Sequence, residues 1–234
     1  RRSALAPERR EELHLLISHL LEHSDAQSLG QRYLRFHHLF AGGSWEEAAI
    51  AAEPLLKAAD KRGLDTLCRA VQRKLVSSNL VHHVPLPRLL SLLHRLGVWE
   101  VEHGKFSEGQ SYYERAAERL FQSAESEADG FDFESVTAMV LVHADLLERR
   151  VGPARALDLV QRFLERFGDR LRASDRGRLF SEQAYCELRL GRFNAAEDRC
   201  QLALKLLDAR DDAKDVAQVY SALASIRWKT SRYE

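Results

Sequence analysis

An all-α fold is what this sequence predicts, and three observations support it. Apolar residues recur three and four positions apart through long segments, which is the spacing of a buried helix face. Alternating β-branched segments of the kind that form strands are almost absent. The chain has only five prolines and twelve glycines, and we expect them to separate the periodic segments.

The N-terminal half divides into helices at glycine and proline. Gly42-Gly43 ends the second periodic segment, and Gly63 separates the third from the fourth. Pro85 and Pro87 open the fifth segment, because proline is tolerated in the first turn of a helix. The helices predicted in this half are residues 7–23, 27–41, 44–61, 64–80 and 86–103.

The C-terminal half is divided in the same way. Gly104 ends the fifth helix, Gly130 precedes the seventh and Gly152-Pro153 opens the eighth. Gly191 separates the ninth helix from the tenth. The helices predicted in this half are residues 106–127, 132–150, 153–168, 172–190, 193–208 and 213–230.

Composition limits the class of protein. With 45% hydrophobic and 30% charged residues, the chain can bury a core and remain soluble, and it has no apolar run long enough to span a bilayer. No signal peptide is visible. Balanced charges, 35 basic against 35 acidic, disfavour a nucleic-acid binder. Three cysteines without CxxC spacing predict a reducing, cytoplasmic compartment.

A spaced pattern occurs at least twice. In one copy a small residue, Gly97, stands seven positions before Gly104, and Phe106 follows that glycine by two positions. In the other copy Ala184, Gly191 and Phe193 have the same spacing. Small residues also follow each glycine by five positions, at Gly109 and Ala196. Recurrence of this kind indicates a helical-repeat architecture.

The second copy can be interpreted physically. Its first helix carries an apolar stripe through Phe180, Ala184 and Leu188, and its second helix carries one through Ala196, Cys200, Ala203 and Leu204. The small residues let the two helices approach closely across a turn at Gly191, and Phe193 fills the hairpin end. Cys200 is therefore expected to be a core residue, whereas Cys200 with Cys186 could be redox-active if the two are close.

This spacing resembles the tetratricopeptide (TPR) repeat, a helix–turn–helix unit. Five turns fit it, at Gly43, Gly104, Val151, Gly191 and Ser231. Turns at positions 151, 191 and 231 are 40 residues apart, whereas the standard repeat has 34. The longer period is similar to that of TPR arms in bacterial ATPase-type signalling regulators. The turn at Val151 departs from the pattern because it lacks the glycine.

The resemblance implies a right-handed α-α superhelix of helical hairpins. It predicts an N-terminal capping segment at 1–28 and a repeat array at 29–234. The chain begins at Arg1 and stops just after its fifth turn, so we expect a fragment of a longer protein whose last repeat is truncated.

No catalytic motif is present, and we predict no enzyme activity and no cofactor. GxxxxGK[ST], GxGxxG, GxSxG and HExxH are all absent. His19 and His23 share a helix face, but spacing fixes no third ligand, so we predict no metal site. His37-His38 and His82-His83 are adjacent pairs and poor chelators. Arg155, Arg162 and Arg166 could bind an anionic partner or form local ion pairs.

In TPR proteins the first helix of each repeat lines a concave groove. The resemblance therefore implies a partner-binding set that mixes aromatic and charged residues, types found at interaction hot spots. Its members are Tyr33, His37, Phe40, His94, Arg95, Val98, Glu102, Leu141, Asp145, Arg149, Arg178, Glu182, Tyr185, Arg189 and Trp228. Trp228 could instead pack on a neighbouring repeat.

The expected partner is a protein or peptide, including a partner domain of the same protein, and not a membrane or a nucleic acid. The two asparagines, Asn79 and Asn194, fall outside the groove set, which disfavours a chaperone-tail receptor. The function expected is a non-catalytic interaction or effector-sensing module of a larger cytoplasmic bacterial regulator. The alternative is a stand-alone scaffold or adaptor subunit.

Overall fold

A computed structural model describes residues 6–22, 28–77 and 84–230. In these ranges all regular structure is helical, with a 3₁₀ turn at Gly168–Arg170 and no strand. The α-helices are α1 (Pro7–Glu22), α2 (Leu29–Ala41), α3 (Trp45–Asp60), α4 (Asp65–Leu75), α5 (Leu86–Glu102), α6 (Phe106–Gln122), α7 (Glu125–Ala128), α8 (Phe133–Arg150), α9 (Pro153–Phe167), α10 (Ala173–Arg189), α11 (Phe193–Leu206) and α12 (Ala213–Lys229).

The all-α prediction is confirmed, and most predicted helix ends fall within two residues of the observed ones. Helix α4 stops at Leu75, earlier than predicted, although residues 78–80 lie outside the described part of the chain. The expectation that prolines separate helices fails at Pro54, which lies inside α3. None of the helices in the described ranges combines the length and the apolar character that crossing a bilayer requires.

The prediction of one helix over 106–127 is wrong, because the chain leaves the helix at Ser123 and forms the short α7 afterwards. The hydroxyl of Ser123 donates to the Leu120 carbonyl at 2.7 Å. Arg166 of α9 donates to the carbonyls of Phe121 and Ser123. Arg166 thus satisfies backbone carbonyls that have no partner within the helix once it ends at Ser123. The periodicity of the sequence could not indicate a partner so far along the chain.

Of the turns aligned by the repeat pattern, those at Gly104 and Gly191 share one geometry, and the position aligned at Ser231 lies outside the described residues. Gly104 and Gly191 adopt φ of 74° and 75°, the left-handed region that glycine enters without strain. In each turn the next residue donates its N–H to the carbonyl five positions earlier, at 2.7 Å for Lys105 and 2.9 Å for Arg192. This is the Schellman arrangement. At the turn that lacks the glycine, the positive φ falls one residue later, on Gly152.

Helix contacts divide the chain into two compact units, Arg1–Leu96 and Gly97–Glu234, and the boundary falls within the residue range of α5. The division predicted at 28/29 stays a prediction. In the N-terminal unit α1 packs on α2, α2 on α3 and α3 on α4, around a core that includes Phe36, Leu39, Leu55 and Leu75.

In the C-terminal unit consecutive helices pack in sequence from α8 to α12, and α6 packs on α8. Helix α10 contacts its predicted hairpin partner α11 and also touches α8 and α12. The core of the α10–α11 hairpin contains Ala184, Ala196 and Cys200, all fully buried, and α12 adds Val219 and Ile226. The predicted facing stripes of this hairpin, including a core position for Cys200, are confirmed.

Candidate binding face

The contacts of α10 make neighbours of the helices that carry most of the predicted groove residues of the C-terminal unit. Helices α8 and α12 both pack on α10, and we name the predicted groove residues of these three helices the three-helix face. Its predicted members are Leu141, Asp145 and Arg149 on α8, Arg178, Glu182, Tyr185 and Arg189 on α10, and Trp228 on α12. The sequence placed these residues on separate helices, and the structure makes the helices neighbours.

Three carboxylates meet between α8 and α10 on this face. Burial, followed by the nearby charges of Asp145 and Glu148, raises the pKa of Glu182 to about 7, and Arg149 acts in the opposite direction. Arg149 pairs with Asp145 at 2.8 Å, between Nε and Oδ1. Arg189 reaches across from α10 to Glu148 at 3.0 Å, between Nε and Oε1. Glu182 therefore gains or loses a proton near neutral pH, inside a surface network of both signs.

Arg178 lies at the start of the face but braces two helices. Its Nε contacts Asp215 at 3.0 Å, and its Nη2 contacts Asp212 at 3.2 Å, both near the beginning of α12. Asp212 is buried, so the pair is shielded from solvent on one side. Arg178 thus holds α10 against α12, which makes it a structural member of the set rather than an open contact for a partner.

Aromatic side chains project from the C-terminal part of the face. Tyr185 is 39% exposed and Trp228 is 67% exposed. Tyr185 borders a small cleft between α10 and α12, which is also lined by Ser181, Gln218 and Ser225. The alternative that Trp228 packs on a neighbouring repeat stays a prediction. Tyr220, which sequence reasoning missed, is also exposed on α12.

The groove residues of α2 are more enclosed. Phe40 is half-buried, with its ring 5.4 Å from Trp45 and the Lys74 ammonium 5.2 Å above it. The ring of His37 lies between those of Tyr33 and His14 of α1, with ring centroids 6.4 Å and 6.2 Å apart, respectively. These contacts place the α2 aromatics inside packing between helices of the N-terminal unit, where a partner could not reach them fully.

The other N-terminal candidates lie on α5. His94 is half-buried, and burial lowers its pKa. Arg95 is exposed and lines a cleft of about 370 Å³ with Lys57, Asp60 and Arg88. Val98 belongs to the C-terminal unit and is half-buried.

Two histidines from different helices are in contact, which the sequence did not predict. His14 Nδ1 lies 2.7 Å from His38 Nδ1, a contact between α1 and α2. His23 and the pair His82-His83 lie outside the described residues. Among the residues that are described, no group of three or more His, Cys, Asp or Glu side chains has a geometry that could hold a metal ion.

Cys186 and Cys200 lie in the core of the C-terminal unit. Cys186 and Cys200 are both fully buried and free. Burial raises the pKa of Cys186 to about 12 and that of Cys200 to about 11. Thiols with such values stay protonated at neutral pH and are poor nucleophiles, which agrees with a packing role.

Comparisons with protein-family models, with curated proteins and with solved structures find no match for this chain.

Proposed function

We propose that this chain is a non-catalytic interaction module of the TPR kind, and that it binds a protein or peptide partner on the three-helix face. The observation that carries the proposal is that two exposed aromatics, Tyr185 of α10 and Trp228 of α12, and the exposed Arg189 of α10 lie on helices that pack on each other. Aromatic and arginine side chains supply most of the binding energy at protein interfaces.

The repeat-like packing supports the same conclusion. Equivalent turns at Gly104 and Gly191 and the side-by-side packing of α8, α10 and α12 are what stacked helical hairpins provide. Such stacks form extended surfaces whose residues vary with the partner. We therefore extend the proposal to a right-handed superhelix that serves as the interaction or effector-sensing arm of a larger cytoplasmic regulatory protein.

The charges of the face suggest how a partner is oriented. Arg189 and Arg149 are each more than half exposed, although both pair with carboxylates. A partner carboxylate that approaches them competes with Glu148 and Asp145. A partner segment with apolar side chains for Tyr185 and Trp228 and an acidic group for Arg189 therefore fits this face best.

A photo-crosslinking amino acid at position 228 of the full chain tests the proposal. The captured partner is purified, and its affinity is measured for wild type and for the double variant Tyr185→Ala/Arg189→Ala. We expect a loss of about tenfold or more in affinity. Helicity should be retained because both side chains are exposed, and Tm should fall only slightly, because Arg189→Ala leaves the nearly buried Glu148 carboxylate without its partner. The matched control is Gln201→Ala/Lys205→Ala on the exposed side of α11.

Two results would overturn it. Unfolding of the double variant would mean that Tyr185 and Arg189 belong to the core and that the face is wrongly assigned. Unchanged affinity of a folded double variant would move the binding surface elsewhere on the chain.

A further inference from the structure

A second concave site lies away from the three-helix face, among α6, α8 and α9. It is a cleft of about 480 Å³, within the range of small-molecule sites. Apolar groups line much of it, including Ala117, Leu147 and Leu159. The ring of Phe121 forms part of one wall and lies under the Arg162 guanidinium, at 4.4 Å. The cleft thus has an apolar interior and a charged edge.

His143 of α8 lies in this lining and is only 5% exposed. Its Nε2 is buried without a hydrogen-bond partner among the described residues. The ring stacks on Tyr113, with centroids 5.8 Å apart. Burial lowers the pKa of His143 to about 4, against a smaller opposing effect of Glu114, so the ring is neutral at physiological pH.

The two rims of the cleft carry opposite charge. On α6, Glu114 and Glu118 each accept a hydrogen bond from a glutamine of the same helix, at 2.8 and 3.2 Å. On α9, Arg162 pairs with Asp158 at 3.8 Å, and Arg155 has no ion-pair partner within the described ranges. One rim therefore presents carboxylates, and the other presents an uncompensated guanidinium.

We propose that this cleft binds a small zwitterion, namely an amino acid or short peptide with an apolar side chain. The ammonium group lies at Glu114 and Glu118, the carboxylate at Arg155, and the apolar part against Leu147, Leu159 and the edge of His143. A simple anion would meet the glutamates, and a simple cation would meet Arg155, so only a ligand with both charges satisfies both rims. The site is independent of the three-helix face and gives the module a ligand input of its own.

Ligand-observed NMR on the full chain tests this with a defined panel. The panel contains the twenty common amino acids and the leucine-terminated dipeptides, each with its N-acetylated and C-amidated forms. We expect at least one zwitterion to bind with a Kd of roughly 1 mM or tighter. Blocking either its ammonium or its carboxylate group should weaken binding about tenfold. In protein-observed spectra of the same samples, the signals of the His143 ring protons should shift when the ligand binds.

Variants assign the site. Arg155→Gln should weaken the same ligand about tenfold, and Glu114→Gln with Glu118→Gln should do likewise. The matched control Arg210→Gln, an exposed arginine outside the cleft, should bind as wild type does. No binding across the panel, equal binding of the blocked forms, or full binding by Arg155→Gln would each overturn the proposal. The variant Tyr185→Ala/Arg189→Ala should bind the zwitterion as wild type does. A failure of the cleft proposal can therefore be told apart from a failure of the partner-binding proposal.

Discussion

The hairpin that turns at Gly104 and the hairpin that turns at Gly191 have the same sequence spacing of small and aromatic residues. They differ in the sizes of the two side chains that face each other between their helices. Seven residues before the turn and nine after it, the first has Gly97 and Tyr113, and the second has Ala184 and Cys200. All four positions are buried. A Cβ on Gly97 would lie 2.6 Å from the Tyr113 ring. The repeat therefore constrains the combined size of the two facing side chains, and not the size of either side chain alone.

The aromatics that follow the two turns also differ. Phe193 packs against the core shared by α10, α11 and α12, as the sequence predicted for an aromatic at the hairpin end. Phe106 has the same position but is 43% exposed, and the Arg150 guanidinium lies 5.5 Å from its ring. An aromatic in this position is buried only where the neighbouring helices supply a surface to receive it.

The largest effect should come from exchanging the small residues. Gly97→Ala forces a methyl group into the buried Tyr113 ring and should cost about 3 kcal/mol of unfolding free energy, at the upper end for overpacking. Ala184→Gly removes one methyl group and weakens a helix, for about 1–2 kcal/mol. Urea unfolding of both variants measures the difference.

A double variant sharpens this comparison. Gly97→Ala/Tyr113→Cys recreates in the first hairpin the pair found in the second. Its loss should be smaller than the sum of the two single losses by at least about 1 kcal/mol, because the contacts are coupled. Strict additivity would show that the two residues do not share one space.

The sequence was sufficient to predict these hairpins because their period and turn glycines are local properties. The apolar pattern could not predict how large a side chain packs against Gly97 or Ala184, because Tyr113 and Cys200 both fit an apolar stripe. It also missed the early end of α6, because the groups that stabilise that end come from Arg166, more than forty residues away.

The candidate face was predictable only in part. Repeat positions placed Tyr185, Arg189 and Trp228 on helices that the structure makes neighbours. The same rule placed Arg178 there, but aspartates at the start of α12 engage it. His143 was not a candidate, because a histidine on a buried helix side gives no signal until the helices around it are known.

A second, smaller effect concerns pH. The pKa of His143, which stacks on Tyr113 in the first hairpin, is lowered from its ordinary 6.5 to about 4. The unfolded chain thus binds the proton first, so this contribution to stability is full above pH 6.5 and is lost as pH falls towards 4. Cys200, in the corresponding position to Tyr113, titrates near 11 and is silent in this range.

The measurement is the free energy of unfolding against pH for wild type and His143→Gln. Between pH 7 and 4.5 the wild type should lose about 2 kcal/mol relative to the variant. Glu182 acts in the opposite sense, because its raised pKa adds stability as pH falls through about 7, and its effect is common to both proteins. Parallel curves would mean that His143 is not buried in a neutral form.

The smallest expected effect is the difference in stability contributed by the ion pairs beside the two turns. Four residues before each glycine stands a glutamate, and one residue after it stands a cation: Glu100 with Lys105 at 4.0 Å, and Glu187 with Arg192 at 3.3 Å. The side chain of Glu100 is fully buried, whereas that of Glu187 is 12% exposed. Loss of a cation should therefore cost more in the first hairpin, despite its longer pair distance.

Lys105→Met should lower the free energy of unfolding by about 1 kcal/mol, and Arg192→Met by about half as much, because water can solvate Glu187. The backbone bonds of both turns are retained in these variants, since the N–H of residue 105 or 192 donates whatever its side chain. Adding Glu100→Gln to Lys105→Met should restore part of the loss. If the two single variants lost the same amount, burial of the carboxylate would not be what distinguishes the hairpins, and if Arg192→Met lost more, the pair distance would decide instead.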